Sequence, residues 1–198
     1  MEHVVEGLWK VPDDLAERGR QYDAQRLGGV AAETKSHLPI ERQARVIGAT
    51  WLDQQLIGGG RGLGDLGFGG NAKLAMLQRA YFLEEQGLAQ RRGQRVILAR
   101  NLLGTLRNRE LAQVAKDIAA ETGLEHRPVA DGQRVAGIYR RSVRLASGQY
   151  AMLDDGMRFS LVPWRPVIEQ RLGQQIAATV RGSGVSWDIG RQRGPSVG

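Results

Sequence analysis

The spacing of apolar side chains changes along the chain, and each change marks an element. The first third is weakly patterned. Val11-Pro12-Asp13-Asp14 predicts a helix start: Pro12 breaks the extended piece before it, and either aspartate can accept from free N–H groups in a first turn. That helix is expected to reach Arg26 and stop at Gly28-Gly29, with an extended stretch from Val30 to His37 after it. Leu38-Pro39 opens a second helical stretch towards Leu56, broken or continuous. Ile40, Ala44, Ile47, Trp51 and Leu52 recur there at helical spacing, while Gly48 weakens the pattern.

Residues 58–70 are dominated by glycine and read as a loop pinned to the body by Leu63, Leu66 and Phe68. Gly62-x-Gly64-x-x-Gly67 matches a dinucleotide-loop pattern by letter, but that chemistry needs a buried strand directly before it, and Trp51–Ile57 reads as a helix end. Asn71 is an N-cap candidate for a helix from Ala72 to Gln86, with Leu74, Leu77, Tyr81 and then Leu88 along its apolar face. Gly87 suits a left-handed position after the helix. Leu88 to Leu98 reads as strand, tight turn at Gly93, strand. A further helix is expected from Asn101 to Thr122, with Leu103, Leu106, Leu111, Val114 and Ile118 as its stripe and Gly123 beyond its end.

After Leu124–Gly132, a linker by its Pro128 and Asp131-Gly132, the period becomes two. Val135–Leu145, Tyr150–Leu153 and Arg158–Val162 read as strands joined by hairpins at Ala146-Ser147-Gly148 and Asp154-Asp155-Gly156. A short helix from Pro163 to Leu172 follows, then strands Gln175–Arg181 and Val185–Ile189 around Gly182-Ser183-Gly184. The expected fold class is α+β. A mostly helical N-terminal part (1–57) precedes the Gly-rich loop (58–70) and a winged-helix-like unit (71–123). A linker (124–132), a small five-stranded β-barrel of OB or SH3-like type (133–190) and a flexible basic tail (191–198) complete the chain. Trp164 and Trp187 belong to the barrel core in this reading rather than to a base-stacking surface.

Charge sharpens the picture. The 198 residues carry net +7, almost all of the basic side being arginine: 24 Arg against 4 Lys. Residues 1–66 hold 8 basic and 10 acidic side chains, residues 67–130 hold 10 and 6, and residues 131–198 hold 10 and 5, so the excess lies in the last two thirds. Arginine presents a planar fork suited to phosphate, which makes a polyanion the first expected partner. In the winged unit, Lys73 and Arg79 are expected on a helix offered to a groove, with Arg91, Arg92 and Arg95 as the wing against phosphates. Arg140, Arg141, Arg144, Arg158 and Arg181 are expected to line a face of the barrel.

Other chemistry finds little support. With no Cys there is no disulfide framework, thiolate metal site or Cys nucleophile. His3, His37 and His126 are far apart in sequence, Asp154-Asp155 fits a hairpin turn, and Glu84-Glu85 are adjacent helix positions that do not share a face. Ser142, Ser147 and Ser160 lack a nucleophile-elbow context. No catalytic residue, metal, cofactor or small-molecule substrate is expected. No membrane-length apolar run or signal peptide is read, so a soluble cytoplasmic protein is expected.

Six stretches carry a resemblance: Val11-Pro12-Asp13-Asp14-Leu15, Ser36-His37-Leu38-Pro39-Ile40-Glu41-Arg42-Gln43, Gly48-Ala49-Thr50-Trp51-Leu52-Asp53, Tyr139-Arg140-Arg141-Ser142, Leu161-Val162-Pro163-Trp164-Arg165-Pro166 and Gly190-Arg191-Gln192-Arg193-Gly194. Together they resemble the C-terminal region, a domain of unknown function, of proteobacterial conjugative relaxases (mobilisation nucleases) of the agrobacterial and rhizobial type. In that family nicking belongs to an N-terminal domain with a nucleophilic tyrosine and a histidine-bound metal. Tyr22, Tyr81, Tyr139 and Tyr150 match none of its motifs, so no catalytic residue carries over. The resemblance implies work in plasmid or mobile-element transfer: accessory binding of single-stranded or duplex DNA, docking to relaxosome or secretion coupling proteins, or structural support of a nuclease domain. Arg191 and Arg193 would serve the docking role as a transport signal.

Overall fold

The computed structural model describes residues 2–5, 8–10, 37–93, 95–182 and 184–189. The helix and strand expected between Pro12 and Ser36, and the tail with Arg191 and Arg193, lie outside the described residues. A small antiparallel pair, β1 (Glu2–Val5) and β2 (Leu8–Lys10), stands as a unit of its own.

The second unit begins with two short helices, α1 (Ile40–Gln43) and α2 (Trp51–Gly58). The helical stretch is broken, and Gly48 is the reason. Its φ of +130° is open to glycine but strained for other residues, and a Cβ there would meet the Glu110 carboxylate at 2.4 Å. Thr50 and Asp53 then form a capping box at the start of α2.

α3 runs from Gly67 to Glu85. It starts four residues before the expected cap, so Asn71 lies inside it. The early start depends on glycine: a Cβ on Gly69 would come within 2.5 Å of the Gly64 backbone, so the loop lies directly on the helix. α2 precedes that loop, so the dinucleotide pattern has no strand to belong to.

The buried face of α3 is not the expected one. Ala72, Ala75, Arg79, Ala80 and Leu83 point inward, whereas Leu74, Leu77 and Tyr81 are more than half exposed. Leu66 and Phe68 are also exposed, so they do not pin the loop, although Phe68 keeps its ring 5.9 Å from that of Trp51. The reversal follows from Arg79, which is 0% exposed. Its Nε donates to Asp53 Oδ1 at 2.8 Å and one terminal nitrogen donates to Asp53 Oδ2 at 2.9 Å. Its two terminal nitrogens also donate to the carbonyls of Val46 (2.6 Å) and Gly48 (2.7 Å). A buried charge is tolerated only when paired and hydrogen-bonded, and Arg79 meets both conditions. Small alanines around it let the helices approach closely enough for that to happen.

A hairpin, β3 (Ala89–Arg92) and β4 (Arg95–Leu98), leads to α4 (Leu102–Thr122), which ends at left-handed Gly123 as expected. Leu106 and Ile118 are buried; Leu111 and Val114 pack against the sheet from its edge. β5 (Glu125–His126), β6 (Arg134–Leu145), β7 (Gly148–Asp154), β8 (Arg158–Pro163), β9 (Gln175–Arg181) and β10 (Gly184–Asp188) form one six-stranded sheet, with a 3₁₀ turn at Pro166–Arg171.

The sheet order is β10-β9-β6-β7-β8-β5. This corrects the expected five-stranded barrel in two ways. The supposed linker contributes a sixth strand, because Glu125 and His126 pair in parallel with Arg158 and Phe159. β5 thus takes part of the outer edge of β8, and β10 pairs only with β9, so the sheet is not closed into a barrel.

The pivot is a bulge in β6. Tyr139 pairs with Leu153 and Arg141 with Met152, leaving Arg140 as the extra residue. Before the bulge, Val135 and Tyr139 share a core with Leu153, Val162, Ile168 and Ile176. After it, Val143 and Leu145 belong to the opposite face, with Met152, Phe159 and Leu161 packed on α4. Without the extra residue, the odd-numbered positions from 135 to 145 would all fall on one face. Trp164 and Trp187 pack on the first core as expected, and Trp164 Nε1 donates to the Tyr139 hydroxyl at 3.0 Å.

Replacing Arg79 by Ala would strand the Asp53 carboxylate. A loss of about 3–5 kcal/mol is expected, read as a lowered thermal or denaturant midpoint; a near-parental midpoint would show that the pair is not what holds α3 to α2. A second expectation concerns His126, which packs against Phe159 with ring centroids 5.1 Å apart and planes tilted by 43°. Burial lowers its pKa below the ordinary 6.5. The folded state therefore favours the neutral ring, and this contribution is present above that value and lost as pH falls through the lowered pKa. His126→Gln should lose less stability than the parent on acidification from about pH 7.5 to about pH 5, measured by paired thermal melts.

Candidate nucleic-acid interface

α3 ends in a turn that aims the hairpin. Gly87 is left-handed with φ +70°. Its N–H bonds to the Glu84 carbonyl at 2.9 Å, and the Leu88 N–H bonds to the Leu83 carbonyl at 2.7 Å, a glycine-closed helix end. Leu88 then drops into a core with Leu83, Leu102 and Leu106, joined by Ala89 and Leu98 from the hairpin base. The base is fixed and the tip projects.

Registry sets what the tip displays. Ala89 pairs with Leu98, Gln90 with Ile97, Arg91 with Val96 and Arg92 with Arg95. Since cross-strand partners share a face and faces alternate, Arg91 lies on the side of Ala89 and Leu98, and Gln90, Arg92, Arg95 and Ile97 form the other face. Arg91 folds back on α3, its guanidinium 4.2 Å from the centre of the Tyr81 ring. Its contact with the Tyr81 side chain is the main reason its pKa is raised, with Glu84 adding a smaller attraction. Glu84 also accepts from the Arg91 N–H at 3.4 Å.

Arg92 and Arg95 are directly opposed beside the turn, and both are exposed. Like charges directly opposite one another on a strand pair repel. Among the described residues no carboxylate forms an ion pair with either.

The other arginines predicted for the site are dispersed. Arg79 is buried, held by Asp53 and two carbonyls, and cannot meet a groove. Lys73 is exposed but pairs with Asp65, whose carboxyl it holds below its usual range mainly through their hydrogen bond. Arg140, bulged out of β6, donates to Asp154 at 2.8 Å. Arg141 lies on the α4 side and grips Glu121 through two bonds of 2.9 and 2.7 Å. That contact lowers the Glu121 pKa and raises that of Arg141. Arg144 sits opposite Gln149, Arg158 opposite Glu125 beside the Asp155 turn, and Arg181 at the β9–β10 turn. Arg141 shares the α4 side with Val143 while Arg144, three positions on, falls on the other face, so these five residues do not line one surface. Asp154 and Asp155 accept turn N–H groups from Gly156, Met157 and Arg158, as expected of a hairpin.

Tyr81 is the site residue the sequence concealed. Its helical spacing with Leu74 and Leu77 assigned it to the core; only the hairpin register shows that it supports Arg91. Beside the hairpin, a groove of about 470 Å³ is lined by Leu56, Ile57, Val96, Leu98, Leu102 and Leu103 with Asn101, and no titratable side chain lines it. Among the described residues, no group of three or more His, Asp or Glu could hold a metal ion. No described helix is long and apolar enough to cross a membrane.

Removing the Tyr81 ring should loosen the hairpin. A stack of this kind contributes about 0.5–1 kcal/mol when exposed, so Tyr81→Ala should speed amide exchange in β3 and β4 about two- to fivefold. Unchanged exchange would mean that the stack does not hold the hairpin.

Comparison with known proteins gives one match. A family model described as "Protein of unknown function (DUF3363)" covers residues 1–196. No curated protein and no solved structure matches the chain.

Proposed function

The chain belongs to the DUF3363 family, and we propose that it acts there as a non-catalytic accessory module that binds DNA through the β3–β4 hairpin. One observation carries the reading: Arg92 and Arg95 are held face to face on a projecting hairpin, with no carboxylate partner among the described residues. A phosphate between two such guanidinium groups replaces their repulsion with charge-assisted hydrogen bonds. Arg91, stacked on Tyr81, adds a third positive charge beside them. The helix–hairpin–helix order supports a winged-helix reading with the hairpin as wing. In that reading contact is made by the wing, because α3 offers no unpaired cation: Arg79 is buried and Lys73 is paired.

The setting we propose is plasmid or mobile-element transfer, on the strength of the six stretches that resemble conjugative relaxases. Docking to relaxosome or secretion coupling proteins, and support of a nuclease domain, are the alternatives.

Fluorescence anisotropy with labelled duplex and single-stranded DNA tests the reading. Binding should weaken steeply with salt. Arg92→Ala combined with Arg95→Ala should reduce the log–log slope on duplex by about two, at roughly 0.9 for each phosphate that is no longer neutralised. An unchanged slope would remove the hairpin from the interface, and no binding even at low salt would overturn the DNA reading.

A further inference from the structure

The outward face of α3 carries an apolar stripe that no described residue buries, although Arg91 lies over one face of the Tyr81 ring. Leu74, Leu77 and Tyr81 are 59%, 56% and 51% exposed. At about 100° per residue they fall within an arc of roughly 60° and span about two turns. Three large apolar side chains in a row on one exposed helix face are not scattered surface residues and mark a contact. The charged residues flanking the stripe identify the occupant. On one flank Lys73 lies towards the N-terminal end and Glu84 towards the C-terminal end, both exposed.

We infer that this face is a self-association surface, in which α3 packs antiparallel against α3 of a second copy of the chain. A two-fold axis through the middle of the stripe sets residue n against about 155 − n. Leu74 then meets the second copy's Tyr81, and Leu77 meets the second copy's Leu77 and Gln78. Each apolar residue finds an apolar partner. Antiparallel packing also brings residues of the same flank together, as in antiparallel coiled coils. Lys73 of each copy therefore faces Glu84 of the other, giving two ion pairs by symmetry. A parallel copy would set Lys73 level with Lys73 and Glu84 level with Glu84. Lys73 can make the exchange because its present partner, Asp65, has a side chain 90% exposed. The stripe is short compared with a standard interface, so association on the order of micromolar is expected.

Self-association is independent of nucleic-acid binding and is tested without it. Sedimentation equilibrium on the full chain, from low micromolar to several hundred micromolar protein, should show a monomer–dimer equilibrium. Leu77→Glu should leave a monomer with an unchanged thermal midpoint, because Leu77 is exposed in the protomer. If that variant melts early, Leu74→Gln in the same measurement decides. Lys73→Glu and Glu84→Lys should each weaken the dimer about tenfold, and the two together should restore it. A monomer at every concentration overturns the inference, and so does a dimer indifferent to Leu77→Glu or a double variant no better than the singles. A chain that stays monomeric yet binds another protein through Leu77 would assign the stripe to that protein instead.

Discussion

A single buried guanidinium organises the helical half of this protein. Arg79 reaches from α3 to Asp53 on α2 and to two carbonyls of the turn between α1 and α2. The same Asp53 caps α2 by accepting from the Thr50 N–H and hydroxyl. The turn so held includes Gly48, whose missing side chain makes room for the carboxylate of Glu110 on α4. Glu110 in turn accepts from the Ala146 and Ser147 N–H groups and the Ser147 hydroxyl, at the turn between β6 and β7. Arg79, Gly48 and Glu110 thus form a polar line from α3 to the sheet. Such a line gains little over apolar packing of the same shape, but it requires one arrangement of donors and acceptors. A slip of α3 by one residue would leave a charge buried and unpaired.

The sheet has a comparable single constraint. The bulge at Arg140 lets one long strand serve two cores, the first under Trp164 and Trp187 and the second under α4. The same extra residue sends Arg140 to Asp154 and Arg141 to Glu121. Much of the positive charge of the sheet is therefore neutralised within the fold, although the chain as a whole is strongly basic. Net charge describes the long-range field of a protein; whether a given arginine is available to a ligand depends on its neighbours.

These two constraints leave two features facing outward: the opposed arginines of the hairpin and the apolar stripe of α3. They are neighbours, joined by the stack of Arg91 on Tyr81. As proposed, an acidic ligand covers the first and a second copy of the chain covers the second. Burial of Arg79 underlies both, because it turns the leucines of α3 outward and removes the helix from groove contact.

The sequence by itself determined most of what depends on neighbours along the chain. Gly87, Gly93 and Gly123 marked a helix end, a hairpin turn and a second helix end, since a left-handed backbone strongly favours glycine. The turn chemistry at Asp154-Asp155-Gly156 and the alternation of β6 to β10 were equally legible, because both are set by local periodicity. What only the tertiary structure decided involves partners distant in sequence. Leu74, Leu77 and Tyr81 have the spacing of a core face, and nothing nearby reveals that Asp53, twenty-six positions before Arg79, makes the opposite face the buried one. Two residues, Glu125 and His126, are too few to show a strand period, and they became a strand only because β8 offered an unpaired edge. The bulge inverted the faces of β6 without a glycine or proline to announce it. Spacing shows that a helix or strand has two faces; which face is covered depends on charges and edges that meet only when the chain has folded.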